Sequence, residues 1–239
     1  MKTRIAIWNL ARHPKLSARR REGQLSRLAT EQADLWILSE TSTQALPPGH
    51  EARCTDWVGT YHVETECAAS IVTRYPFGKS IKTFDSTFAV CAEVLHPQLG
   101  PIIVYASIIP YAGYKGPEGE SKYWEEHRKS VVLHVEDWRR IREAHPSHHF
   151  IAGGDFNQSL DNSGWYGNRE SEDNLRKGMA DARLTCLTAE NYREAKLIGR
   201  GNIDHILVSE VLASLCKTPA RPWEDQSLSD HNGITIDLE

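Results

Sequence analysis

The sequence has no long hydrophobic run. No stretch approaches the roughly 20 apolar residues that a membrane-spanning helix needs, and the apolar run within "MKTRIAIWNLARHPK" is too short for the central region of a signal peptide. Basic character is also low, because 28 Lys and Arg face 32 Asp and Glu and the net charge is -4. Tight, non-specific nucleic-acid binding driven by net charge is therefore not indicated, which leaves a local basic patch open. We expect no membrane partner, and a monomer by default.

Cysteine is scarce and irregularly spaced. The five cysteines are odd in number and form no CxxC pair, a pattern that fits reduced thiols in the cytoplasm better than a disulfide framework. Internal repeats, low-complexity segments and linkers are absent as well. A chain of 239 residues is long enough for one large domain or two small ones. We therefore predict a single cytoplasmic domain over residues 1–239.

Alternation and apolar runs predict more strands than helices. A helix is predicted from Ser17, with Leu25 and Leu28 inward, a long amphipathic helix over 124–145, and a shorter one before Ala182. The predicted strands cover 4–10, 33–41, 56–64, 68–76, 80–85, 88–96, 101–109, 150–155, 202–209, 214–223 and 233–239. Helices separate only some of these strands. The pattern therefore predicts an α/β fold with two packed, mostly antiparallel sheets flanked by helices.

Polar side chains stand where the predicted strands end or begin. The segment "GGDFN" places Asp155 and Asn157 directly after a buried strand, where Gly, Asp and Asn are also common turn residues. Other strand ends carry Asn9, Glu40, Asp204, Asp230 and His231. A single acid after a strand is commonly a turn or a helix cap. The whole set, however, combines carboxylates, carboxamides and one imidazole.

This set suits a divalent cation that prefers oxygen ligands. No cysteine or second histidine lies at ligand spacing, so Mg²⁺ or Mn²⁺ fits better than zinc. Phosphoester hydrolysis needs a cation that neutralises phosphoryl charge, a base that activates water, and a histidine that supplies positive charge or a proton. The strand ends therefore predict an active site for phosphoester hydrolysis.

The ordered segments "WNL", "LSET", "SIVTRYP", "GGDFN", "IDHILVS" and "SDH" resemble the endonuclease/exonuclease/phosphatase superfamily. The resemblance runs from Asn9 to His231. This group includes pancreatic deoxyribonuclease and the apurinic endonucleases, which the chain resembles most, and also inositol polyphosphate 5-phosphatases and bacterial sphingomyelinases. The resemblance implies a four-layer α/β sandwich and a metal-dependent phosphodiesterase.

The resemblance also implies roles for individual residues. Glu40 matches the principal metal ligand, and Asn9 and Asp230 match further polar groups of the metal site. Asp155 matches the aspartate that takes the proton from the attacking water. Asn157 matches the companion that holds the phosphate or the water.

Two further roles follow from the same resemblance. Asp204 matches the acid that pairs with the histidine and fixes its tautomer. His231 matches the imidazole that stabilises the pentacovalent transition state. The two glycines before Asp155 are interpreted as room for the backbone to approach the phosphate. One metal ion and two metal ions are both compatible with this set.

One position departs from the family pattern. Members usually carry a histidine or tyrosine at the end of the strand written here "VYASIIPYAG", where it contacts the phosphate. This region offers Ser107, Ile108 or Ile109 instead. Either Tyr111 or Lys115 replaces the missing group, or the substrate is held differently.

Residues in the loops beside the predicted site are candidates for substrate binding. Arg12 heads a basic stretch that either grips substrate phosphates or forms a solvated helix face. Arg74 in "TRYP" is either a substrate contact or a structural residue. Trp165 and Asn168 follow the catalytic strand, and this loop either binds and stacks on a base or is a packed anchor.

Cleavage of nucleic acid, DNA or RNA, is the function that these features favour, because a complete catalytic set lies beside a basic segment. Hydrolysis of a small or lipid phosphate is the alternative, compatible with the negative net charge and the missing histidine or tyrosine. A third hypothesis is a non-catalytic binding module on an enzyme fold, and the intact set argues against it.

Overall fold

The computed structural model describes residues 2–57 and 63–239, which form two six-stranded sheets and four α-helices. The strands are β1 (Thr3–Asn9), β2 (Leu35–Ser42), β3 (Glu51–Cys54), β4 (Glu66–Thr73), β5 (Phe77–Ile81), β6 (Ala89–His96), β7 (Gly100–Ile108), β8 (His149–Asp155), β9 (Leu184–Cys186), β10 (Asp204–Ser209), β11 (Arg221–Trp223) and β12 (Gly233–Leu238). The helices are α1 (Ala18–Glu31), α2 (Glu125–Ala144), α3 (Arg169–Asp181) and α4 (Glu210–Leu215).

Each sheet contains one parallel pair and is otherwise antiparallel. The first sheet has the order β11-β12-β1-β2-β4-β3, and the second has the order β5-β6-β7-β8-β10-β9. The parallel pairs are β1 with β2, connected through α1, and β7 with β8, connected through α2. Parallel neighbours need such a crossover, because a hairpin reverses the chain direction. The prediction of two mostly antiparallel sheets flanked by helices is confirmed.

Three hydrophobic clusters separate four layers. Between the sheets, Ile7 of β1 and Ile151 of β8 belong to one cluster. On the outer face of the first sheet, Trp8 clusters with Leu28 of α1. On the outer face of the second sheet, Phe150 clusters with apolar residues of α2 and α3. Neighbouring residues of one strand therefore enter different cores, as the two-residue period of a strand requires.

Strand polarity brings the polar strand ends to one edge of the sandwich. The carboxyl ends of β1 and β2 lie side by side, as do those of β7 and β8. β12 and β10 run antiparallel to β1 and β8, so their first residues lie at the same edge, and Asp204 is in register with Asp155. The backbone N–H of Asp155 donates to Ser39 Oγ of the other sheet at 3.2 Å. This shared edge carries the predicted site.

Several predicted elements differ from the observed ones. The strand predicted over 80–85 lies earlier, as β5, and of 214–223 only Arg221–Trp223 is a strand. α4 takes the first two of these residues, 214–215, because Glu, Leu and Ala after Ser209 favour a helix. The short edge strands β3 and β9 were not predicted. The strand predicted over 56–64 lies mostly outside the described residues, and its described ends are not strand.

All five cysteines lie within the described residues and are free thiols. In the described parts of the chain, no helix combines the length and the apolar character that crossing a membrane requires.

Candidate active site

The carboxamide of Asn9 joins two acids from different sheets. Its Nδ2 donates to Glu40 Oε1 at 3.2 Å and to Asp155 Oδ2 at 3.1 Å. Its Oδ1 accepts from the backbone N–H of Ala11 at 2.8 Å. Asn9 and Asp155 are buried, and Glu40 is half-buried. Asn9 therefore positions the two carboxylates, and its own oxygen already has a partner.

Asn157 holds Asp155 from the other side. Its backbone N–H donates to Asp155 Oδ1 at 2.9 Å, and its Nδ2 donates to Asp155 Oδ2 at 3.1 Å. The same Nδ2 donates to the carbonyl oxygen of Ile109 at 3.0 Å, which ties the group to the end of β7. The hydrogen bond from Asn157 N–H to the aspartate side chain is an Asx turn. Asp155 is thus both a turn residue and a member of the polar cluster.

His231 and Asp204 form a hydrogen-bonded pair. His231 Nδ1 lies 2.8 Å from Asp204 Oδ2, and the second oxygen of Asp204 is buried without a hydrogen-bond partner. The backbone N–H of His231 donates to Ser229 Oγ at 3.0 Å. Ligand atoms of Asp155, Asp204 and His231 lie within 4.8 Å of one another. The structure therefore brings the two halves of the predicted catalytic set together.

Burial and mutual contact shift the titration of these groups. Burial raises the pKa of Asp155 to about 7, against the lowering effect of His231. Burial also raises the pKa of Glu40. For His231 burial opposes the charged form, but the charges of Asp204 and Asp155 outweigh it and raise the pKa to about 10. His231 is therefore a cation at neutral pH, facing two acids.

Backbone with positive φ occurs at this edge. Glu40 and Asn157 each have φ 46°, and Arg12 has φ 61°. Asparagine adopts this left-handed region readily, but for glutamate it costs about 1–2 kcal/mol. Glu40 sits between Ser39 and Thr41, which are both paired with β4. The flanking ladder holds the strain, a situation that is frequent at functional sites.

The glycine pair before Asp155 has a different purpose from the one predicted. Gly154 has φ +140°, and a Cβ there would lie 1.7 Å from the backbone oxygen of Ser107 in β7. A Cβ on Gly153 would lie 2.7 Å from the backbone oxygen of His205 in β10. The space that the glycines leave is thus filled by the neighbouring strands, and a phosphate does not take it. The interpretation of the pair as room for a phosphate is wrong.

A cleft of about 200 Å³ opens beside the Asp204–His231 pair and Asn157. Its walls include Asn157, Asp204, Asp230, His231, Trp165 and Arg200. The side chain of Asp230 is exposed, and its charge lies close enough to raise the pKa of Glu40. The backbone oxygen of Asp230 accepts a hydrogen bond from Arg200. Of the predicted loop residues, Trp165 therefore reaches the cleft.

Other predicted substrate residues lie elsewhere. Arg74 pairs with Asp34 at 3.1 Å, next to the start of β2, whereas Glu40 lies near the end of that strand. At about 3.3 Å per strand residue, Arg74 is on the order of 20 Å from the cleft, so its role as a substrate contact is not supported. Asn168 caps α3, with its Oδ1 accepting from Ser171 N–H at 3.0 Å. It is a loop anchor.

Arg12 and Tyr111 lie at the margin of the site. Arg12 Nε donates to Glu66 Oε1 at 2.7 Å, and the charge of Glu40 adds to the rise in the pKa of Arg12. Tyr111 is 56% exposed in the loop after β7. The position in register with Asp155 on β7 is Ile108, so the expected histidine or tyrosine is replaced by an apolar side chain.

Arg200 is a cleft residue that the sequence analysis missed. It lies in "GRGNIDH", two residues before the strand segment that carries Asp204. The sequence signal that could have identified Arg200 is a positive charge just before the strand predicted over 202–209. The cleft therefore has an exposed positive charge beside Asp230, whose backbone oxygen accepts from Arg200.

Comparison with known proteins identifies the family of the chain. Residues 6–231 match the model of the Endonuclease/Exonuclease/phosphatase family, so the chain belongs to this family. No curated protein sequence matches the chain significantly.

Three solved structures share the fold over nearly the whole chain. The endonuclease domain of TRAS1, a telomere-specific non-LTR retrotransposon, has 19% identity and TM-score 0.65, covering 100% of this chain and 99% of that one. An AP endonuclease from Archaeoglobus fulgidus has 12% identity and TM-score 0.71, covering 99% of each chain. A 3' phosphatase from Neisseria bound to a product DNA hairpin has 17% identity and TM-score 0.67, also covering 99% of each chain.

Proposed function

We propose that the protein is a divalent-metal-dependent phosphodiesterase that cleaves nucleic acid, acting as a cytoplasmic single-domain monomer. The observation that carries the proposal is the meeting, at one edge of the sandwich, of the Asn9-bridged acids Glu40 and Asp155 with the Asp204–His231 pair. The proposal of a nucleic-acid substrate rests on the cleft, whose walls include the indole of Trp165 and the guanidinium of Arg200. It also rests on the structural relatives, one of which is bound to a DNA hairpin.

The donor set fits Mg²⁺ or Mn²⁺. Two buried or half-buried carboxylates have raised pKa values because burial disfavours their charge, and a cation would compensate for it. Their oxygens are the ligands that these hard cations prefer. Glu40, with Asp230 beside it, would hold the ion, while Asn9 keeps Glu40 in place. A bound cation would neutralise charge on the phosphoryl oxygens and the leaving group.

Asp155 takes the proton from the attacking water. A base is most effective when its pKa lies near the working pH, and the value of about 7 meets that condition. Asn9 and Asn157 orient the carboxylate through three hydrogen bonds. Asn157 also lines the cleft, where its carboxamide positions the phosphate or the water.

His231 stabilises the negative charge that develops on the phosphoryl group. Asp204 engages its Nδ1 and fixes the ring, so Nε2 is the nitrogen left for the substrate. The raised pKa keeps the ring protonated at neutral pH, which gives the transition state a fixed positive charge.

Hydrolysis of a small phosphoester is the second candidate, and Ile108 is the observation that favours it. An apolar residue beside Asp155 removes a phosphate contact on the β7 side, so a substrate there is held by other groups.

The test is hydrolysis by purified protein with Mg²⁺ or Mn²⁺. Single- and double-stranded DNA and RNA are compared with a panel of soluble phosphoesters. Asp155→Ala should abolish cleavage, while Glu143→Ala, which removes an exposed carboxylate on α2, should act like the wild type. Activity on nucleic acid no higher than that of Asp155→Ala would refute the nuclease, and turnover of a soluble phosphoester alone would favour the second candidate.

A further inference from the structure

We infer that the row of aromatic side chains beside the cleft, Trp165–Tyr166–Trp124–Tyr123, binds unpaired bases and directs the enzyme to single-stranded nucleic acid. This aromatic row comes from two loops, one after β7 and one after β8. The inference rests on the proposed function, because it names the form of nucleic acid that the same site accepts.

Trp165 begins the row at the cleft. Its side chain is 41% exposed and forms part of the cleft wall. A Cβ on Gly201 would lie 2.5 Å from the indole ring, so the ring lies directly against the backbone of the segment that leads to Asp204. An indole supported from behind and exposed in front is a stacking surface next to the reacting phosphate.

The row continues away from the cleft without a break. Ring centroids lie 6.1 Å apart from Trp165 to Tyr166, 5.3 Å from Tyr166 to Trp124, and 5.6 Å from Trp124 to Tyr123. Tyr123 ends the row and is 66% exposed. Tyr166 and Trp124 in the middle of the row are half-buried, so the exposed aromatic surface lies mainly at its two ends. Exposed apolar surface of this kind often marks a binding site.

The two loops are joined to each other. The backbone N–H of Ala112 faces Tyr166 Oη at 3.5 Å, and Trp124 N–H donates to the carbonyl oxygen of Ala112 at 2.8 Å. The two inner members of the row, Tyr166 and Trp124, are therefore held through the same residue, Ala112. Preorganised rings lose little conformational entropy when a base stacks on them.

Charge along the first loop selects for bases rather than for phosphates. Lys115 and Lys122 are exposed there, but Glu118 and Glu120 are exposed beside them. These charges nearly cancel, so the aromatic faces are the groups of this loop that attract a ligand. Arg200, on the cleft wall, is the cation placed for the backbone.

Stacking on side chains requires bases whose faces are free. A duplex hides these faces between neighbouring base pairs, whereas a single strand presents them to aromatic groups. Each stacked base contributes about a 5- to 150-fold gain in affinity. The row should therefore separate single strands from duplexes.

Binding in the Asp155→Asn background with Mg²⁺, which prevents turnover, tests the inference. Four probes of equal length are compared: oligothymidylate, oligouridylate, a blunt duplex, and a base-free sugar-phosphate strand. We expect both base-bearing single strands to bind about tenfold more tightly than the duplex and the base-free strand. The two single strands also show whether the row distinguishes RNA from DNA.

Matched variants assign the effect to the row. Trp165→Leu and Tyr123→Leu keep an apolar side chain but lose the π face, and each should reduce the preference for base-bearing strands by about fivefold or more. Trp165→Phe and Tyr123→Phe should restore it. Val211→Ala, at an exposed site on α4, should have no effect.

Two results would overturn the inference. One is equal affinity for the oligothymidylate and the base-free strand in the Asp155→Asn protein, whose aromatic row is unchanged. The other is a preference that the leucine variants leave intact. Because binding is read without turnover, a protein that binds single strands through the row but cleaves nothing would refute only the nuclease proposal.

Discussion

Replacing Gly154 with alanine tests the arrangement of the strand that carries Asp155. A Cβ at this position would lie 1.7 Å from the backbone oxygen of Ser107, and contacts under 3.0 Å do not persist. The carbonyl group must therefore retreat by at least 1.3 Å, the difference between 3.0 and 1.7 Å. The residue would also keep φ near +140°, a conformation that an L-amino acid rarely adopts.

The expected loss of stability combines these two effects. The backbone conformation costs about 1–2 kcal/mol for a residue with a Cβ. Displacing the Ser107 carbonyl weakens one or two ladder hydrogen bonds between β7 and β8, at about 1 kcal/mol each. We expect Gly154→Ala to lower the free energy of unfolding by about 2–4 kcal/mol, and the Tm by about 10 °C for a chain of this length.

Equilibrium urea unfolding measures the effect, provided that the m-value is unchanged. Gly100→Ala is the matched control, because Gly100 also has a positive φ, +74°, but a Cβ added there would have nothing within 4 Å of it. Only the backbone cost of about 1–2 kcal/mol applies there. If Gly154→Ala destabilised the protein no more than Gly100→Ala, the account of close strand packing would be refuted.

Three further predictions concern the site and the long helix. His231→Ala should lower kcat by roughly 10² to 10⁴ and leave substrate affinity nearly intact; steady-state kinetics check this, and a loss of affinity alone would contradict the assigned role. Mg²⁺ at about 100 times its Kd should stabilise the wild type by about 2.7 kcal/mol and raise the Tm by about 5–10 °C. In thermal unfolding, Glu40→Gln should lose most of this shift, and an equal shift in both proteins would place the ion elsewhere. Burial lowers the pKa of His134 from 6.5 to about 3. Above pH 6.5 the side chain is neutral in both the folded and the unfolded state, and the folded state keeps its full stability. As the pH falls from 6.5 towards 3, the unfolded state gains a proton that the folded state excludes, and the free energy of unfolding falls by up to about 5 kcal/mol. Urea unfolding from pH 7 to pH 4 should show this dependence in the wild type and a weaker one in His134→Gln, and parallel profiles would contradict it.

Local pattern was enough to predict most of the regular structure. The apolar run within β1 and the longer one in β2 reflect strands covered on both faces. The short edge strands β3 and β9 lack such a pattern, since four and three residues carry too little periodicity. The spacing of the histidines on α2 is typical of ordinary helix residues, but His127 and His134 are fully buried. Their burial depends on hydrogen bonds to distant partners, Ser171 and Tyr105.

The members of the polar cluster could be predicted from the sequence, but the residues that surround the cleft could not. Asn9, Asp155 and His231 come together because strand ends converge, and strand ends are visible in a sequence. Arg74 follows a strand as well, but β4 runs antiparallel to β2, so its end lies at the other edge. Arg200 reaches the cleft from an irregular loop, whose path no local pattern describes.

The strand order has a consequence for the architecture of the chain. Read cyclically from β11, the strands fall into two sets, β11-β12-β1-β2-β3-β4 and β5 to β10. Each set builds one sheet, and the first to sixth strands of the two sets occupy the same positions in their sheets. In both sets the third and fourth strands form the parallel pair. Thr3 pairs with Leu238, so the two ends of the fold lie side by side.

A circularly permuted chain, joined from Leu238 to Thr3 and opened between α4 and β11, would therefore consist of two tandem units of equal topology. Glu40 lies near the end of β2 and Asp155 ends β8, and these are equivalent strands of the two units. The proposed cation ligand and the proposed base would thus occupy equivalent strands of two units with the same topology.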